Sequence, residues 1–95
     1  MIRVDIHPRL VRAGRKLGQG IVVLIEEKLT LVAEQFGDPH RHGGLGLRKL
    51  GRRSYEARLD RDLRIVFIKE VDRLTAYDLM DHDQVRKWLK ARKGD

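Results

Sequence analysis

The segment from Leu47 to His82 constrains the fold most, because it reads as consecutive strands joined by two short turns. Apolar and charged residues alternate from Tyr55 to Leu59, as in a strand with one buried face. The next run, Leu63–Ile68, is apolar except for Arg64, which predicts a central strand covered on both faces. A third strand is predicted at Leu74–Met80. Turns this short make each strand the antiparallel neighbour of the next, so the segment predicts two β-hairpins.

The N-terminal part predicts one strand followed by a helical pair. Ile2–Ile6 alternates like a half-buried strand, and Pro8 suits the first turn of a helix that extends to Leu17. Gly18 and Gly20 mark a break, so the pair is a helical hairpin or one sharply broken helix. The second helix has an apolar stripe formed by Ile21, Ile25, Leu29, Val32 and Phe36.

The segment Asp38–Gly46 is predicted to be a loop. It is rich in Gly and His but lacks the ending of a phosphate-binding loop, so its glycines are interpreted as turn residues. Asp38, His40 and His42 are weak candidates for a metal site, because a closed site needs more ligands. We therefore predict no metal and no cofactor.

A final helix is predicted after the last strand. Asp81 or Asp83 can cap it, its apolar residues include Val85 and Trp88, and a basic tail, Lys90–Lys93, ends it. The predicted order is β-α-α-β-β-β-α. This is an α+β fold with a small antiparallel sheet packed against the helical pair, in one domain covering residues 1–95.

Composition restricts the function. The formal net charge is +7, with 21 Lys and Arg against 14 Asp and Glu. Apolar residues make up 41% of the chain, enough for a packed core, whereas aromatic residues at 5% argue against a base-stacking platform. The absence of cysteine excludes disulfides and thiol chemistry. No apolar run is long enough for a signal peptide or a membrane span, so we expect a cytoplasmic protein.

The positive charge is concentrated in the strand region. Its cations are Arg48, Lys49, Arg52, Arg53, Arg58, Arg61 and Arg64. Strands that display cations on one face form a fixed positive surface, which suits RNA or DNA. The alternative is that the charge serves only solubility.

Several motifs occur together in an order that resembles the RelE/ParE superfamily of bacterial toxins. The resemblance covers nearly the whole chain and rests on Leu47–Leu50, Tyr55–Arg58, the turn Asp60–Asp62, Arg64 and His82. It implies a toxin of a type II toxin–antitoxin system. RelE-like members cleave mRNA on the ribosome without metal, and ParE-like members inhibit DNA gyrase.

The resemblance also implies partners. We expect a cognate antitoxin, mRNA and the ribosome, or DNA gyrase in the alternative, and no membrane. A homodimer or a toxin–antitoxin hetero-oligomer is also implied. One departure favours a ParE-like or catalytically inactive member acting by binding: Arg86 stands where RelE-like nucleases often carry a Tyr after the His.

The candidate catalytic residues are Arg58, Arg64 and His82. RNA cleavage by the 2′-hydroxyl needs proton transfer, which an imidazole can perform near neutrality, and cations at the phosphoryl oxygens. The predicted RNA-binding residues are Lys49, Arg52, Arg53 and Arg61. The alternatives are a surface ion pair of Arg58 with Glu56 or Asp60, and a local capping role for His82.

Overall fold

A five-stranded sheet forms the centre of the computed structural model, which describes residues 1–93. In chain order the elements are β1 (Arg3–Ile6), α1 (Pro8–Leu17), α2 (Gln19–Gln35), α3 (Pro39–Leu45), β2 (Leu47–Lys49), β3 (Ser54–Arg58), β4 (Arg64–Lys69), β5 (Arg73–Met80) and α4 (His82–Ala91). The sheet order is β1-β5-β4-β3-β2. No helix in the described part of the chain is long and apolar enough to span a membrane.

The predicted α+β fold and its element order are confirmed, with three differences. β1 pairs with β5 in parallel and the other three strand pairings are antiparallel, so the sheet is mixed. The short edge strand β2 adds to the predicted elements. The loop predicted at Asp38–Gly46 was wrong, because most of it forms α3. The side chain of Asp38 caps that helix, and Gly46 ends it in the left-handed conformation.

The helical pair is a hairpin of two helices with a single residue between them. Gly18 is the C-cap of α1 and the N-cap of α2. Its φ is 106°, a backbone conformation that residues with a side chain rarely adopt. Three residues of the predicted stripe on α2, Ile25, Leu29 and Val32, are buried against the sheet. The hairpin therefore covers one face of the sheet.

The second face of the sheet is covered by α4. Val66 and Met80 pack there against Val85, with Tyr77 and Trp88 at the margin. Consecutive residues of β4 face opposite cores, and Ile65, Val66 and Phe67 are all fully buried. The prediction that this strand is covered on both faces is confirmed.

The C-terminal end of α4 differs from the predicted basic tail. Arg92 donates a hydrogen bond from Nε to Oγ of buried Ser54 at 3.2 Å. Its guanidinium also lies over the Trp88 ring, 4.9 Å from the centroid. Arg92 is therefore a fixed structural side chain, because the turn after α4 brings it back onto the sheet.

A basic groove at the end of the β3–β4 hairpin

Two candidate catalytic arginines lie side by side on one face of the sheet. In the antiparallel register of β3 and β4, Arg58 is directly opposite Arg64. Side chains opposite each other share a face, so both guanidinium groups lie on the side that α4 covers further along the sheet. Arg58 is exposed, whereas the side chain of Arg64 is only 12% exposed.

Glu56 is the acidic partner of two arginines on neighbouring strands. It is two residues before Arg58, on the same face, and its side chain is 7% exposed. Its carboxylate lies 3.5 Å from Nε of Arg64 and 4.0 Å from Nη2 of Arg48. A nearly buried guanidinium requires a partner of opposite charge, and Glu56 supplies it for Arg64.

His82 is positioned by the start of α4. β5 ends with Met80 opposite Arg64, so the next residues lie beside that arginine. Asp81 is the N-cap and forms a capping box with Gln84, with both hydrogen bonds at 2.8 Å. The capping role suggested for His82 is therefore filled by Asp81. The imidazole of His82, at the first helical position, is exposed.

These residues line a common depression, which we call the basic groove. It has a volume of about 540 Å³ and is lined by Gly43, Gly46, Leu47, Arg48, Glu56, Arg58, Arg64 and His82. Three guanidinium groups face one carboxylate, so the groove has an excess of positive charge. Such a site suits a phosphodiester, since arginine presents planar paired donors to phosphoryl oxygens.

Gly46 allows the wall of the groove to form. Its φ is 68°, and a Cβ at this position would lie 2.9 Å from Cβ of Arg58. Its carbonyl accepts a hydrogen bond from the backbone N–H of Arg58 at 3.1 Å. Only glycine fits both this backbone conformation and this close approach.

The four predicted RNA-binding residues lie outside the basic groove, and one of them lines a neighbouring depression. Arg61 lines a second depression of about 300 Å³ together with Arg64 and His82. Lys49 lies on the opposite face, with Nζ 6.0 Å from the Tyr55 ring centroid. Arg61 therefore joins the candidate site, and Lys49 does not.

Arg52 and Arg53 lie in the β2–β3 connection, at the other end of β3 from Arg58. Arg52 is exposed. Arg53 pairs with Glu70 at 3.8 Å. Neither residue lines the basic groove, and their predicted contact with RNA stays a prediction.

Sequence reasoning missed Glu56 and Arg48 as members of the site. Glu56 was expected only as a surface partner of Arg58. The alternation of the strand contained the necessary signal, because residues 56 and 58 must share a face. Arg48 is opposite Glu56 in the β2–β3 pairing, which could not be seen without β2.

The weak metal candidates have structural positions around α3. Asp38 accepts a hydrogen bond from the backbone N–H of His40, and Nε2 of His42 accepts one from Gly37 at 3.1 Å. The His42 ring also stacks on Phe36, with centroids 5.6 Å apart. Across residues 1–93, no group of three or more His, Asp or Glu side chains is arranged to hold a metal ion.

Comparison with known proteins supports the fold. The sequence matches no family model and no curated protein. Among solved structures, a copper-bound mutant toxin from Helicobacter pylori has a TM-score of 0.60 and 22% identity, covering 90% of this chain and 99% of that chain. YafQ from Escherichia coli has a TM-score of 0.61 at 9% identity, with 90% and 98% covered.

A solution structure of the Helicobacter pylori protein HP0894 also matches, with a TM-score of 0.54, 22% identity, and 87% and 97% of the two chains covered. The chain thus has the fold of these bacterial proteins over nearly its full length. The fold implied by the resemblance to RelE/ParE toxins is confirmed.

Proposed function

We propose that this protein is the toxin of a type II toxin–antitoxin system and cleaves mRNA on the ribosome without metal. The observation that carries the proposal is the convergence of Arg58, Arg64 and His82 on one basic groove. The toxin fold of its structural neighbours supports it. The proposal includes a single domain over residues 1–95 and action in the cytoplasm.

The proposed reaction uses the RNA's own 2′-hydroxyl. Its oxygen attacks the adjacent phosphorus, and the bond to the 5′-oxygen breaks, leaving a 2′,3′-cyclic phosphate and a 5′-hydroxyl end. The proton lost by the 2′-hydroxyl is balanced by one gained at the 5′-oxygen. His82 is the imidazole in the groove lining, and we assign it one of these two proton transfers.

The arginines are proposed to bind the reacting phosphate. Arg58 is exposed and can meet the substrate directly, while Arg64 is held from below by Glu56. A guanidinium fixed before substrate arrives needs little rearrangement as negative charge develops on the phosphoryl oxygens, which is the source of electrostatic stabilisation. In this scheme Glu56 is a positioning residue.

A second candidate function is binding without cleavage, as a gyrase inhibitor or an inactive family member. The observation that favours it is Arg86, which occupies the place where RelE-like nucleases often carry a Tyr. No Phe, Tyr or Trp side chain lines the basic groove within residues 1–93.

The proposed partner is an antitoxin encoded beside the gene. A groove of about 440 Å³ lies between α1 and α2, lined mainly by apolar side chains such as Val11, Val22 and Leu29. Ile6, on edge strand β1, borders it and is 52% exposed. An antitoxin helix or strand could bury this surface while its acidic residues meet the basic chain. A homodimer is the alternative assembly.

The test is mRNA cleavage in a translating extract, mapped by primer extension, with the wild-type protein and with His82→Ala. Wild-type cleavage within translated codons that is lost in the variant supports the nuclease. Intact mRNA together with inhibited gyrase supercoiling supports the alternative. Co-expression with the adjacent gene tests the antitoxin, and failure to co-purify contradicts that part.

A further inference from the structure

We propose that the outer face of α4 binds the phosphate backbone of single-stranded RNA and extends the binding site beyond the basic groove. We call this surface the α4 track and define it by Arg86, Lys87, Lys90 and Lys93. The identity of the ligand as RNA rests on the proposed function, although backbone binding does not itself require cleavage.

The α4 track begins at the candidate site. Counting from His82, two intervals of four residues lead to Arg86 and Lys90, so these side chains share one side of the helix. Lys93 follows the end of α4 and lines the same depression as Arg86 and Lys90. With a rise of 1.5 Å per residue, each four-residue step is about 6 Å along the axis. The opposite side of α4 buries Val85 against the sheet. The helix therefore points a row of cations away from its packed face.

The concave surfaces are also continuous. The four cations of the track line a depression of about 730 Å³ together with Asp83 and Leu89. Asp83 also lines the smaller depression that contains Arg61, and that depression shares Arg64 and His82 with the basic groove. The smaller depression, which Asp62 and Asp81 also line, therefore connects the basic groove to α4 through shared lining residues.

The charges on the track are available to a ligand. All four side chains belong to exposed residues, and within residues 1–93 none has a carboxylate oxygen within 4 Å. Some other cations of this protein are paired, for example Arg9 with Asp78 at 3.1 Å. Cations in the last turn of a helix interact favourably with the helix dipole, which would explain their presence without any ligand. Arg86 and Lys87 lie before the last turn of α4, so the dipole does not explain them.

The chemistry of the track favours the backbone over the bases. Trp88 is the aromatic residue of α4, and it packs beside Tyr77 and under Arg92, so its ring does not belong to the track. Cations without exposed rings bind phosphates independently of sequence. Arg86, which departs from the Tyr of RelE-like nucleases, then adds a phosphate contact at that place.

The test compares two triple variants that each remove three exposed charges. Arg86→Gln/Lys90→Gln/Lys93→Gln alters the track, and Arg12→Gln/Arg15→Gln/Lys16→Gln on α1 is the matched control. Glutamine is a good helix former, and circular dichroism verifies that both variants remain folded. Binding of a 2′-O-methylated, fluorescein-labelled oligoribonucleotide, which cannot be cleaved, is followed by anisotropy as salt increases.

Each neutralised phosphate of a single strand contributes about 0.7 to the slope of log affinity against log salt, so the track variant should lose about 2 units of slope. Between about 50 and about 200 mM salt, wild-type affinity should therefore fall about twentyfold more than that of the track variant. The α1 variant should retain the wild-type slope. Equal slopes in the two variants would overturn the proposal.

Two further outcomes separate this inference from the proposed function. RNA binding by the track without any mRNA cleavage by the wild-type protein would contradict the nuclease alone. If the wild-type protein cleaves mRNA but the track variant has the same slope of log affinity against log salt as the wild type, the track proposal alone is contradicted. An oligodeoxyribonucleotide of the same sequence serves as a second probe, and binding of DNA but not RNA would overturn the assignment to RNA.

Discussion

At the scale of single residues, the basic groove depends on the ion pair between Glu56 and Arg64. Arg64 interrupts an apolar strand at a position where a charge is costly unless it is paired. The sequence indicated that this arginine needs an anionic partner, and the structure identifies the partner as Glu56. The same carboxylate faces Arg48, whose side chain is 71% exposed, so the two pairs differ in solvent screening.

This difference predicts the result of two double-mutant cycles. Combining Glu56→Gln with Arg64→Gln should show a coupling free energy of about 1–3 kcal/mol, because both charges of this pair are nearly buried and little screened by solvent. Combining Glu56→Gln with Arg48→Gln should show less than about 1 kcal/mol. Urea unfolding measures both cycles. Equal coupling in the two cycles would mean that burial of Arg64 has no energetic consequence.

A second residue-scale prediction concerns catalysis. Arg64→Ala should reduce mRNA cleavage about a hundredfold, the cost of about 2–4 kcal/mol that accompanies loss of a transition-state donor. Because this change also removes the nearly buried partner of Glu56, Arg58→Ala at an exposed position provides a second variant, for which we expect a similar loss. Arg15→Ala on the outer surface of α1 is the control and should stay close to wild type. If all three variants lose activity equally, the arginines act only through the general positive field.

At the scale of elements, the passage from α3 through Gly46 into β2 determines the wall of the groove. The left-handed glycine ends α3, and its carbonyl pairs with the backbone of Arg58. The sequence of this helix predicts a loop, because glycines and histidines of low helix propensity fill it. Two contacts outweigh that low propensity. Asp38 caps the helix, and Nζ of Lys28 on α2 donates a hydrogen bond to the carbonyl of Leu45 at 2.9 Å.

Two glycines of this segment should respond oppositely to alanine. Gly46→Ala should destabilise the protein by more than about 1 kcal/mol, because the left-handed backbone and the 2.9 Å approach to Arg58 both exclude a Cβ. Gly44→Ala lies inside α3 with open space around it and should stabilise by up to about 1 kcal/mol. Chemical denaturation checks both. Similar effects at the two positions would contradict the conformational argument.

At the scale of the whole molecule, β4 joins the two cores. Phe67 faces the helical hairpin, and Val66 faces α4 beside the margin where Trp88 packs. Because adjacent residues of one strand belong to both cores, neither core can be lost while the strand remains ordered. We therefore expect the two sides of the sheet to unfold together.

This prediction is testable with the single tryptophan. Phe67→Ala should cost about 3–5 kcal/mol through the cavity it leaves in the helical core. The loss should appear equally in Trp88 fluorescence, which reports the α4 side, and in far-ultraviolet circular dichroism. Val71→Ala, at a fully exposed turn residue, should change stability by less than about 0.5 kcal/mol. Two separate transitions in the Phe67 variant would show that the cores are independent.

All the elements except α3 and β2, and their order, could be predicted from the residues alone. Hydrophobic periodicity is local, so it reveals the strands from Tyr55 to Met80, the helical pair and the final helix. Short turns also specify antiparallel neighbours, and the turn at Asp60–Asp62 is therefore sufficient to predict that Arg58 lies beside Arg64.

Contacts between distant residues, in contrast, depend on how the whole chain packs. Three such contacts join positions far apart in the chain: the parallel pairing of β1 with β5, the pairing of edge strand β2 with β3, and the hydrogen bond from Arg92 to Ser54. Periodicity shows which face of an element is buried but not which element packs beside it. The pairing of Glu56 with Arg48 could therefore not be predicted, and nor could the position of Lys49 and Arg53 away from the groove. Tertiary packing sets these contacts, because each buried charge needs its partner and each strand its register.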